Sequence, residues 1–96
     1  MELNELRDLV IDEKSLVVFL KALVEDFDDE KRKESLAPSS PYGPGANGWE
    51  NRDLSSFLWA AITWAETSEN GLRFYEKSDN PWKRVADILY AAKIYE

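Results

Sequence analysis

The chain has 96 residues, enough for one small domain and too few for two. Hydrophobic residues make up 44% and aromatics 12%, which supports one modest core. The absence of Cys and His excludes disulfides, thiolate nucleophiles, zinc–thiolate and iron–sulfur sites, and the usual general base. The net charge is −7, and residues 1–34 alone carry −5 of it. Such an acidic third repels nucleic acid and anionic lipid, which need clustered Lys and Arg, and speeds encounter with basic surfaces. No apolar run approaches the roughly 18 residues of a membrane span, and the acidic N-terminus lacks the basic region of a signal peptide. A soluble, cytoplasmic protein is expected.

Helical periodicity dominates. Residues 3–10 space Leu3, Leu6 and Val10 as a short helix, with Leu9 alongside. A second helix starts at an Asp12 cap, or alternatively at Ser15, and runs to about Ser35. Leu16, Phe19, Leu20, Leu23, Val24 and Phe27 form its stripe. Beyond Phe27 the stripe positions fall on Glu30 and Lys31, so this end should project from the core.

Residues 37–48 hold three Pro and three Gly and cannot continue a helix. A loop over about 36–50 is long for a small domain. Tyr42 and Trp49 supply apolar anchors, which suggests a partly ordered strap. Asn51 is then the expected N-cap of a third helix, with Asp53 in its first turn. Leu54, Phe57, Leu58, Ala61, Ile62, Trp64 and Ala65 cover an arc of about 160° on it. Asn70-Gly71 is its stop, and Leu72, Phe74 and Tyr75 are available to pack in the connection. Asn80-Pro81 opens a fourth helix with Trp82, Val85, Ala86, Leu89, Tyr90 and Ala92 inward. The expected architecture is all-α: a single-domain bundle of three long helices and one short N-terminal helix.

Little in the chain points to catalysis. Glu25-Asp26-Phe27-Asp28-Asp29-Glu30 lacks the glycine and spacing of a calcium loop. Gly43-Pro44-Gly45 lacks the Lys and helix start of a phosphate loop, and no Ser, Thr or Lys has a neighbouring base. Glu50 beside Trp49 is the lone acid in an aromatic setting and reads as a helix-entry residue. No catalytic residue, cofactor or metal site is expected. The acidic run reads either as a solvated face with Asp28–Arg32 or Asp29–Lys33 pairs, or as a docking face for a basic protein. Trp59 lies near 140° from Leu54 and off the apolar arc, so the strap should cover it, or it is an exposed binding anchor. Glu25, Asp28 and Asp29 are the candidate steering residues and Trp59 the candidate anchor.

Gly48-Trp49-Glu50-Asn51, with Leu54, Phe57-Leu58, Ala60-Ala61 and Trp64, resembles a small bacterial family of unknown function in which this pattern opens the third helix. The terminal Trp82, Ala86-Asp87-Ile88-Leu89, Ala91-Ala92 and Tyr95-Glu96 resembles the end of that family too. The similarity covers most of residues 16–96. It implies proteins that accompany toxin loci as immunity proteins, and it brings no catalytic residue. The leading expectation is therefore a non-enzymatic acidic protein that neutralises a basic toxin by blocking its surface. The alternative is a structural or regulatory homo-oligomer, a homodimer for example, using Trp59, Val18 and Ile94.

Overall fold

A computed structural model describes residues 1–95. It contains four helices: α1 (Leu3–Asp8), α2 (Glu13–Leu36), α3 (Leu54–Thr67) and α4 (Pro81–Ile94). No strand forms among the described residues, only one bridge between Leu72 and Tyr75. The all-α expectation holds. Asp12, the first of the two proposed starts, caps α2 by accepting from the Ser15 amide at 2.8 Å. Asn80 caps α4 by accepting from Trp82, and Pro81 takes the first helical position.

The cap of α3 differs from expectation. Asp53, not Asn51, accepts from the Ser56 amide at 2.8 Å. Asn51 instead turns to the far end of α4, where its side-chain amide donates to the carbonyls of Ala92 and Tyr95 at 2.9 and 2.6 Å. Those carbonyls have no partner within the helix, so a side-chain donor is worth more there than at an N-terminus that Asp53 already serves.

The core is small. Val10, Phe19, Leu23, Trp49 and Ala86 form its buried cluster, with Leu3, Leu6, Leu16, Phe27, Phe57, Leu89 and Tyr90 packed around it. Trp49 is its largest member, and it comes from the strap rather than from a helix. Its indole sits 4.8 Å from the Phe27 ring, edge-on, and 5.9 Å from Phe57, stacked.

Helix α3 packs on α4, and its backbone does not come close to that of α2. Ala60 and Ala61 on α3 and Ala86, Ala91 and Ala92 on α4 are buried small residues, which suits a close approach of these two helices. Arg84 secures the far end. It donates to the Ala65 carbonyl at 3.0 Å and the Ser68 hydroxyl at 2.9 Å, and lies over the Trp64 ring. A cation there also suits the negative end of the α3 dipole. Tyr75 stacks edge-on against Trp64 and donates its hydroxyl to buried Asp87. Burial and the Asp87 carboxylate raise the Tyr75 pKa above the usual phenol value. Phe74, expected to pack with Tyr75, is 91% exposed at the tip of the Leu72–Tyr75 turn.

Candidate interaction surface

Two features organise the surface: what the acidic run of α2 binds, and what α3 leaves open. The run was expected to project from the core after Phe27. The strap folds back over it, and Glu30 is 1% exposed. Glu30 Oε1 accepts the backbone amides of Asn47 and Trp49 at 3.0 and 3.1 Å. Glu34 accepts those of Ser39 and Ala46. Asp26 accepts the Trp49 indole N–H and the Lys93 ammonium, each at 2.8 Å. Asp29 accepts the Asn47 side-chain amide at 3.0 Å and pairs with Arg32 and Lys33. These four acids lie at helical spacings of three, four and eight from Asp26, so they share the face that the strap covers.

The strap is shaped for this seat. Gly45 lies against the Glu30 carboxylate, where a Cβ would overlap the acid's own atoms. Gly48 has φ +85°, a left-handed turn that swings Trp49 into the core. Past Trp49, the Glu50 amide donates to the Lys93 carbonyl at 2.9 Å. The Gly48-Trp49-Glu50-Asn51 string therefore does not open α3. It ties α2 to the end of α4.

The proposed steering residues separate accordingly. Asp29 is occupied by Asn47, Arg32 and Lys33, which hold its carboxyl well below the usual carboxylate range. Glu25 and Asp28 are exposed on the outer side of α2 and make no ion pair among the described residues. The expected Asp28–Arg32 pair is absent because Arg32 turns to Asp29.

The Ser39 hydroxyl and amide lower the Glu34 carboxyl, with help from the Ala46 amide and Arg52. Both strap acids therefore stabilise the fold above their unfolded pKa, near 4, and that contribution is lost as pH falls through their lower folded values. Asp12 and Asp53, depressed by their helix-cap bonds, act in the same direction. Thermal melts should be flat from about pH 6 to 8 and fall steeply below about pH 4. A melting temperature unchanged down to about pH 2 would refute this assignment.

Trp59 stands apart from the acids, on α3. The strap does not cover it: the tryptophan under the strap is Trp49, and Trp59 is 62% exposed. Leu54, Leu58 and Ile62, expected in the buried arc, are also exposed. The arc is wider than one neighbouring helix can cover, and only α4 packs against it. Between α2 and α3 a groove of about 380 Å³ stays open, with Leu23, Phe27, Trp49 and Phe57 inside and Val24 and Leu54 at its edges. Val18 and Ile94, also exposed, lie on α2 and α4. No cluster of three or more acids among the described residues is placed to hold a metal ion. Among the described residues no helix is long and apolar enough to cross a membrane. Glu96 lies outside the described residues, and the Tyr95 carbonyl is an acceptor for Asn51.

A model of a family of unknown function (DUF7660) matches residues 12–96, and the chain belongs to that family. No curated protein and no solved structure matches it.

Proposed function

For this member of the DUF7660 family we propose a non-enzymatic role as an acidic binding protein in the cytoplasm, acting on a basic protein partner. The observation that carries this reading is the pair of exposed carboxylates Glu25 and Asp28 on the outer face of α2, which make no ion pair among the described residues, in a chain of net charge −7. Their neighbours Asp26, Asp29 and Glu30 already hold the strap. The strap therefore fixes the helix that presents this exposed pair and lowers the cost of ordering it on binding. The partner of best chemical fit is a basic bacterial toxin, a nuclease for instance, whose cationic active-site surface the protein would occupy as an immunity protein. Net negative charge elsewhere on the molecule steers the encounter.

Capture of the basic partner from the producing cells tests the reading. Retention at about 50 mM salt and release near 500 mM is the expected behaviour. Replacing Glu25 and Asp28 by Lys together should lower the association rate by about tenfold or more at low salt and flatten its salt dependence. The captured partner's activity should fall when the wild-type chain is added back. Unchanged kinetics in the double variant at low salt would overturn the assignment of these two residues.

A further inference from the structure

We propose that the open side of α3 is a self-association surface, taken by α3 of a second copy of this chain in antiparallel orientation. This goes beyond the acidic face of α2 and uses different residues. Leu54 is 75% exposed and Trp59 62%, with Leu58 and Ile62 beside them. Steps of four residues line Leu54, Leu58 and Ile62 into one ridge, the kind that packs against its own copy across a two-fold axis. The ridge meets the groove between α2 and α3 at Leu54, so a second α3 on the ridge also reaches the groove's edge. Together these side chains and Val24 leave on the order of 500 Å² of apolar surface uncovered, not far below the roughly 800 Å² per partner of a standard interface.

Charge selects the occupant. Helix α3 carries one ionisable residue in 14, Glu66. A basic partner finds little to hold there, and a second copy of a −7 chain meets its least repulsive face there. An axis through Leu58 sets Leu54 opposite the second copy's Ile62, so the ridge pairs with itself along its length.

Sedimentation of the full chain from about 1 µM to about 500 µM tests this. The weight-average mass should rise from 11.1 kDa towards twice that value as concentration increases. It should persist in about 1 M NaCl, where charge-driven contacts are screened. Leu58→Lys should hold the mass at the monomer value while its circular dichroism matches wild type, and Val18→Lys should still dimerise. A wild-type chain that stays monomeric throughout, a dimer dispersed by salt, or a dimer unaffected by Leu58→Lys would each overturn the proposal. None of these outcomes bears on the acidic face, because partner capture and the Glu25 and Asp28 variants are read separately with dilute protein.

Discussion

Trp49→Ala should lower stability by about 3–5 kcal/mol, the range for truncating a buried tryptophan. For a domain of this size that is a melting temperature lower by about 15 °C or more. The effect is large because the core contains few buried side chains of any size. Phe19 and Leu23 are its other large apolar members, and several of the remainder are alanines. The indole fills the space between α2, α3 and α4 where the backbones of α2 and α3 stand apart, so removing it leaves Phe27 and Phe57 facing a void. Trp49→Phe should cost less, about 1–2 kcal/mol, chiefly by leaving Asp26 without its indole donor. Tyr42→Ala, at a strap residue that is 97% exposed, should stay within about 0.5 kcal/mol of wild type. Thermal or urea unfolding of the three variants checks the series. A Trp49→Ala protein melting within about 3 °C of wild type would mean that the strap does not supply the core.

Glu30→Ala is expected to cost about 2–4 kcal/mol, because it orphans two strap amides, those of Asn47 and Trp49. The strap should then become open to proteolysis around residues 40–48 while the helices keep their circular dichroism. Glu30→Gln keeps the accepting oxygen. The second carboxylate oxygen is buried with no hydrogen-bond partner among the described residues; in Gln that position becomes an NH2, which sheds the charge's desolvation cost but brings donors that find no acceptor there. The Gln variant should therefore lie between wild type and Ala, because it keeps the acceptor for the two strap amides but buries an unpartnered donor. Gly45→Ala provides a second reading of the same seat. It should be strongly destabilising in wild type and milder in Glu30→Ala, with a coupling of at least about 0.5 kcal/mol, because the added Cβ collides with the acid itself. Equal costs for Gly45→Ala in both backgrounds would show that the seat does not depend on Glu30.

These variants separate the two faces of the acidic run. Glu30, Asp26, Asp29 and Glu34 hold the strap, and changing them alters stability. Glu25 and Asp28 are exposed, and changing them should alter encounter with a partner while leaving the melting temperature nearly unmoved. The same separation applies to the tryptophans, with Trp49 inside and Trp59 outside.

What the chain determined by itself was local. The 3.6-residue period, Asp12 ahead of α2 and Asn80-Pro81 ahead of α4 fixed where helices form, since periodicity and capping involve residues within four positions of one another. The absence of Cys and His bounded the chemistry in the same direct way. The tertiary structure decided the rest. Asn51 was assigned to the nearest helix end, but its partners are 41 and 44 residues away, and no local signal marks them. The acidic run looked like a solvent face because its neighbours in sequence are charged. Strap donors 17 to 23 residues further on turned three of its carboxylates, Asp26, Asp29 and Glu30, inward. The wheel placed Trp59 off the apolar arc of α3, but whether a side chain there is covered depends on which helices reach it. Because α4 alone does, half of that arc faces outward, and it is there that the protein has surface left to use.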